Sequence, residues 1–281
     1  MKEGLSSPKE GLNSMKKGLE LPERMPDVKT KIKEAMSYDL DDARRTLVHK
    51  DIILGKAFLK KLYTVWYRYL AERVALIPGK YLEIGSGGGF LKEVFPEVIT
   101  SDILPLDTVD IVCNAEKLPF DDNTLQGIMM LNVFHHIPRP YLFLEEAGRT
   151  LLSGGKIVMI EPANSHFSRF IYTHFHHEAF DPEGAMEIRQ GNPLSNANQA
   201  LPYIYFVRDE REFNRHYPTL RIKIIKHHTP FLYILSGGLS KPSLLPGCFF
   251  GIARFVEKLF KPFYRQLGLF YFIEIEKQDL P

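Results

Sequence analysis

Apolar and polar positions change their period along the 281-residue chain, and the changes divide it. Residues 1–40 hold no sustained period. They contain a loose repeat, Lys2-Glu3-Gly4-Leu5, Lys9-Glu10-Gly11-Leu12 and Lys16-Lys17-Gly18-Leu19, interrupted by Pro8, Pro22 and Pro26. Glycine in every unit opposes a helix and the few leucines cannot offset ordering entropy, so a mobile arm is expected. From Asp51 to Ala75 the apolar residues Ile52, Phe58, Leu59, Leu62, Val65, Trp66, Tyr69 and Leu70 recur at three- and four-residue steps. That spacing predicts a helix, within a helical extension over 41–77 that Pro78-Gly79 ends. Short strands then alternate with helices. Lys80–Ile84, Val98–Asp102, Asp110–Cys113, Gln126–Leu131 and Lys156–Glu161 read as strands. Leu91–Val94 and Tyr141–Leu152 read as helices, the second stopped by Ser153-Gly154-Gly155. Such alternation predicts a parallel sheet covered on both faces. Two further strands, Leu220–Lys226 and Phe270–Lys277, come late.

Residues 78–281 therefore read as one α/β domain, but 162–206 and 227–268 exceed what a minimal sheet needs. Insertions of this length are usually functional lids, so two caps are expected. Composition narrows the partners. The formal net charge of +2 gives no global pull toward nucleic acid. Cys113 and Cys248 are too few and too far apart for a zinc framework or a disulfide scaffold, and suit a reducing cytoplasm. No apolar run reaches transmembrane length, and the first residues lack the apolar core of a secretory signal. A cytoplasmic protein is expected, with peripheral membrane contact left open.

The strongest local signal is Glu83-Ile84-Gly85-Ser86-Gly87-Gly88-Gly89, a strand running into glycines and then a helix. Such a turn brings backbone N–H groups against a ligand near a helix N-terminus. A dinucleotide fingerprint requires a small residue at its sixth position, where this chain has Phe90. Asp102 ends the next strand, where a carboxylate can accept both hydroxyls of a ribose. Cys113-Asn114-Ala115-Glu116-Lys117-Leu118-Pro119-Phe120 and Leu131-Asn132-Val133-Phe134-His135-His136-Ile137 also fall at carboxyl ends of expected strands, the edge where open α/β sheets bind ligands.

Together with Arg149-Thr150-Leu151-Leu152-Ser153-Gly154-Gly155, these segments resemble the class I S-adenosylmethionine-dependent methyltransferases, over roughly Pro78 to Pro162. The similarity is greatest to the small-molecule branch that includes quinone and sterol methyltransferases. It implies a Rossmann-like fold with a mostly parallel seven-stranded sheet and S-adenosylmethionine as cofactor. It implies Glu83, Gly85, Ser86, Gly87 and Gly89 for the cofactor's amino-acid end and Asp102 for the ribose. Asn114 and Ala115 would meet the adenine edge, with Asn132 nearby at the end of the fourth strand. Asn114 departs from the family's usual Asp but keeps an acceptor oxygen.

Methyl transfer to a hydroxyl needs alignment with the methyl carbon and a base for the proton. The loop after the fourth strand lacks the proline pair of amino-methyltransferases acting on DNA bases, and a Pro-Cys cytosine nucleophile is absent. Asn132, Glu161 and Asn164 imitate a catechol-type metal set poorly, so no metal is expected. Candidate bases are His135, His136 and His177, the last beside Glu178 in a histidine-rich stretch with His166, His174 and His176. His135-His136 reads equally as a pair that packs on the cofactor, and the second group as a hydrogen-bond network in a lid.

In 249–267, Phe249, Ile252, Ala253, Val256, Leu259, Phe260, Phe263 and Leu267 share one helical face. Arg254, Lys258, Lys261 and Arg265 occupy the other, with Glu257. The helix packs on the sheet or lies on an anionic membrane. With the apolar stretch Pro230–Leu235, it suits a small or lipid-like acceptor methylated at oxygen. Carbon methylation of a quinone-like acceptor, or a non-catalytic module that binds S-adenosylmethionine, are the alternatives.

Overall fold

The computed structural model describes residues 27–39, 42–74, 79–188 and 197–279. The repeat in residues 2–19 lies outside them. Within the stretch expected to be an arm, Val28–Ser37 forms a ten-residue helix, α1, seated by Ile32 and Ala35 against Val48 and Ile52. The helix expected from Asp51 to Ala75 is divided into Ala43–Gly55 (α2) and Ala57–Val74 (α3). Gly55 weakens the junction, and Lys56 leaves helical geometry there with φ −100° and ψ 92°. Its buried ammonium donates to the carbonyls of Gly238 and Lys241, and burial pulls its pKa down to about 8. Asp42 caps α2 by accepting from the Arg44 N–H at 2.8 Å.

α3 shows why the helical period was legible. Phe58, Leu59, Leu62, Tyr63, Trp66, Tyr67, Leu70 and Val74 are all buried along one face. They pack with Met129, Val158, Ile160, Phe270 and Phe272 on one side of the sheet. Each such side chain contributes roughly 1.5–3 kcal/mol relative to exposure.

After α3 come Lys80–Ile84 (β1), Leu91–Val94 (α4), Val98–Asp102 (β2), Ile111–Val112 (β3) and Leu125–Leu131 (β4). Pro140–Thr150 (α5) and Leu151–Pro162 (β5) follow. β3 is shorter than expected because Asp110 turns its carboxylate to the N–H and Oγ1 of Thr100. α5 ends at Thr150, and the chain passes straight into β5. Leu151 pairs with Leu125 before a register shift restores pairing at Gly127 and Lys156. Gly154, at φ +76°, belongs to that irregular start and is not a helix stop separate from the strand.

The remaining elements are His166–Phe175 (α6), Leu201–Tyr203 (α7), Glu210–His216 (α8), Leu220–His228 (β6), Leu232–Ser236 (α9), Phe250–Leu259 (α10), Tyr264–Leu267 (α11) and Phe270–Lys277 (β7). The sheet order is β3-β2-β1-β4-β5-β7-β6. The pairings β1–β2, β1–β4, β2–β3 and β4–β5 are parallel, while β7 runs antiparallel to both β5 and β6. The seven strands form one Rossmann-like sheet, mixed in direction rather than purely parallel. β4 is buried along six consecutive residues, as a central parallel strand covered on both faces should be.

The second face is covered by α5 together with residues 200–213. Ala200, Leu201, Ile204, Tyr205, Phe206 and Phe213 are fully buried there beside Phe143, Leu144 and Ala147. The end of the segment 162–206 is thus core rather than an added lid.

α10 departs most from its pattern. The residues it buries are Phe250, edge-on to Phe58 at 5.1 Å, and Glu257. Glu257 Oε2 accepts from the N–H groups of Phe231 and Leu232, both at 2.8 Å, and so caps α9. Turning Glu257 inward turns the apolar stripe outward.

Candidate active site

The glycine loop leaves β1 at the centre of the sheet. Gly85 and Gly87 have φ of +67° and +43°. A Cβ on Gly85 would also lie 2.5 Å from a Val133 methyl, so glycine is needed there on both counts. Gly89 passes over the Tyr67 hydroxyl, where a Cβ would come within 2.2 Å. Phe90, which removed the dinucleotide reading, is buried with its ring 5.1 Å from Tyr67. α2 lies against the other side of the loop, with Thr46, His49 and Lys50 backbone atoms where a Gly88 Cβ would stand.

Side chains lock the loop to its neighbours. Ser86 Oγ donates to Glu83 Oε2 at 2.7 Å, and Ser101 Oγ donates to the Glu83 carbonyl at 2.7 Å. Asp102 accepts from the Gly87 N–H through Oδ2 and from the Leu104 N–H through Oδ1, both at 2.9 Å. Burial pushes the Glu83 carboxyl up to about 7, against the Ser86 hydrogen bond and helped by the negative Asp102. Burial also raises Asp102, although backbone N–H donors oppose it.

Ala115 is buried beside the β3 end, whereas Asn114 is exposed. Asn114 Oδ1 accepts from the Glu116 N–H at 2.9 Å, so one of its acceptor sites already closes a local turn. Asn132 adopts a left-handed φ of +57°, and its buried Oδ1 has no hydrogen-bond partner. The structure therefore gathers the expected cofactor residues at one edge. A positive-φ cradle, two buried carboxylates and an orphaned amide oxygen fit a polar, cationic ligand.

Beside that edge stands a second assembly. Glu161, wholly buried at the end of β5, accepts from the N–H groups of Val133 and Phe134 at 2.7 and 2.9 Å. Its other oxygen meets His135 Nδ1 at 2.7 Å. His135 Nε2 faces Glu178 Oε2 at 3.5 Å. Glu178 Oε1 faces His136 Nε2 and His177 Nε2, each at 3.7 Å, and Gln199 donates to Oε2 at 2.8 Å. His176 completes the group, its Nδ1 2.6 Å from Gln199 Nε2.

Burial alone would lower His135, but hydrogen bonds and charge from Glu161 and Glu178 lift it to about 9. Glu178 runs the other way. Its burial is outweighed by His135, which holds the carboxyl well below its usual range. His136 and His176, half-buried beside a charged neighbour, are lowered by desolvation to about 3 and 4 and are neutral. The cluster at neutral pH is therefore an imidazolium between two carboxylates, ringed by neutral imidazoles. Among the described residues, the donor atoms of His135, His136 and Glu178 lie within 4.8 Å of one another, close enough to share a cation.

Residues 82–159 match the family model described as a methyltransferase domain. The chain carries a methyltransferase domain. The enzyme is an S-adenosylmethionine-dependent methyltransferase, and the ordered segments of its sheet edge lie within or beside the matched residues. No curated protein sequence matches the chain at a significant level. Distant likenesses to solved structures exist. A geranyl diphosphate methyltransferase in complex with SAM is 14% identical, with 87% of this chain and 94% of that one covered and a TM-score of 0.47. The methyltransferase bound to the Haloferax volcanii Trm112 activator is 16% identical, covering 83% and 98%, with a TM-score of 0.46. Geranyl diphosphate C-methyltransferase from Streptomyces coelicolor A3(2) is 16% identical, covering 78% and 77%, with a TM-score of 0.45. The acceptors and partners of those proteins are properties of those proteins.

All three histidines chosen from the methyltransferase sequence converge on Glu178, but in different states. His135 has both ring nitrogens engaged, His136 is neutral and half-buried, and His177 is largely exposed. The sequence reading passed over Glu161 as an organiser, Gln199, and the cover that α2 gives the loop. Only Glu161 left a signal, as a carboxylate closing a strand opposite the His135-His136 loop.

Proposed function

We propose that the enzyme methylates a hydroxyl oxygen of a small or lipid-like acceptor, and that Glu178 with His136 receives the hydroxyl hydrogen. The observation that carries this reading is the half-satisfied Glu178 carboxylate. Oε2 is fixed by Gln199 and faces His135, while Oε1, among the described residues, faces the imidazoles of His136 and His177 at 3.7 Å. When bound, S-adenosylmethionine supplies an electrophilic methyl carbon on a sulfonium sulfur. Glu83 and the backbone of Gly85, Ser86, Gly87 and Gly89 hold its amino-acid end, Asp102 the ribose, and Asn114-Ala115 the adenine edge. Asn132 offers its unpartnered oxygen alongside. On this reading His135, clamped by Glu161, positions Glu178, and the base is His136 rather than His135. The hydroxyl hydrogen becomes strongly acidic only as the C–O bond forms, so a weak but well-placed base such as neutral His136 suffices. His177, at the open side of Glu178, orients the acceptor.

A greasy acceptor is supported by the aromatic contact that joins the two long segments, Phe167 to Phe231 at 6.1 Å, and by its continuation within the second, Phe231 to Phe260 at 5.2 Å. On this reading 166–188 and 230–267 are the caps. The test follows S-adenosylhomocysteine formation with a lipid extract as acceptor source. His136→Ala and Glu178→Gln should each lower turnover by about 100-fold while leaving the cofactor Kd unchanged. Undiminished turnover in both variants would remove the assignment.

A further inference from the structure

The methyltransferase carries an apolar ridge that its own fold leaves uncovered. Along α10, Phe250, Ala253 and Glu257 turn inward, while Ile252, Phe255, Val256 and Leu259 turn outward at steps of three and four. Phe255 is 65% exposed, Ile252 64% and Leu259 62%. Phe249, Phe260 and Phe263 extend the ridge beyond both ends of the helix, all exposed. Large apolar side chains presented together in this way mark an interaction site rather than ordinary surface.

Charge and continuity say what it meets. Arg254, Lys258, Lys261 and Arg265 are all exposed in the same segment. Its single acid, Glu257, is buried as the cap of α9 and contributes no surface charge. The exposed face therefore combines bulky apolar groups with four cations and no anion. A protein partner would need a matching acidic and apolar groove, whereas an anionic bilayer offers both features along any line. The ridge also continues toward the site. α11 packs beside α6, which exposes Phe170 and Phe175, with Lys241 6.0 Å above the Phe175 ring. α6 leads directly into His176, His177 and Glu178. Among the described residues, no helix is long and apolar enough to cross a membrane, so the segment would lie on the surface.

We propose that residues 249–265 dock the enzyme on an anionic lipid surface, with Ile252, Phe255, Leu259 and Phe263 entering the acyl boundary and the four basic residues meeting headgroup phosphates. The proposal rests on the lipid-like-acceptor reading only for its purpose, because docking is measured without turnover. The experiment is co-sedimentation of the full chain with vesicles of phosphatidylglycerol and phosphatidylcholine, against pure phosphatidylcholine. The wild type should bind the anionic vesicles and lose most of that binding in high salt. Phe255→Ser/Leu259→Ser/Phe263→Ser should weaken it by at least about 100-fold, and Lys258→Glu/Lys261→Glu by about tenfold or more. Both variants should keep wild-type cofactor binding heat, which shows that they fold.

Absence of wild-type binding, or equal binding by the apolar variant, would overturn the proposal. So would a concentration-dependent dimer in sedimentation velocity that the apolar variant disperses while vesicles bind neither. An enzyme that binds vesicles but methylates no lipid would sink the acceptor reading and leave the docking surface standing.

Discussion

The glycine loop and the histidine cluster sit at neighbouring points of one sheet edge and are built by opposite means. The loop is backbone. Its shape comes from positive φ at Gly85 and Gly87, with carboxylates at Glu83 and Asp102 receiving its donors. The cluster is made of side chains, with two backbone N–H groups anchoring Glu161. It draws His135 and His136 from the end of β4, Glu161 from β5, Glu178 from the segment after α6, and Gln199 from before α7. A backbone site advertises itself locally, because only glycine tolerates the required conformations. A side-chain site is a coincidence of distant segments that no local spacing records.

The contrast can be broken most severely at Gly85. Gly85→Val puts a branched side chain at φ +67° and against Val133, so about 4 kcal/mol of cofactor binding should vanish, beyond detection by titration calorimetry. Asp102→Ala, which removes a charge-assisted acceptor but leaves the turn, should weaken the same binding by only about 10- to 100-fold. Equal losses in the two would mean that the loop's conformation matters no more than its anchor.

A second test acts on the cluster. Glu161→Ala strands His135 and two backbone donors, and should cost about 3 kcal/mol of unfolding free energy in a urea titration. Glu161→Gln, which keeps one acceptor oxygen, should cost clearly less.

The smallest effect is a proton. Glu83 in the free enzyme has its pKa raised to about 7, and its ionised form is the one that suits the cofactor's ammonium. Affinity should therefore be full above that pH and fall as pH drops through it, by no more than about tenfold per unit. Glu83→Gln should flatten the profile. A profile unchanged by that substitution would detach Glu83 from the cofactor.

These differences also explain what could be read in advance. β1, β2 and β7 carry the expected bounds because buried strands of β-branched and aromatic residues are written contiguously. Asp102 and Asn132 were legible because a strand end fixes their place. α2 was not separated from α3, since the break at Lys56 depends on carbonyls more than 180 residues away. The outward turn of α10 was hidden for a related reason. Its amphipathic pattern says that one face is apolar, but which face meets the protein is decided by Glu257 reaching the α9 N-terminus. The charge state of His135 depends likewise on two carboxylates, 26 and 43 residues further along the chain.

The position of β7 has a consequence for how the molecule is made. β6 lies at the sheet margin and pairs only with β7, which also pairs with β5. During synthesis the strands from β1 to β5 can find their partners as they emerge, since β4 joins β1 and β5 joins β4. β6 emerges with no available ladder and must wait for residues 270–277 to be inserted between it and β5. Until then β5 presents a bare, apolar strand edge, the kind that recruits other chains.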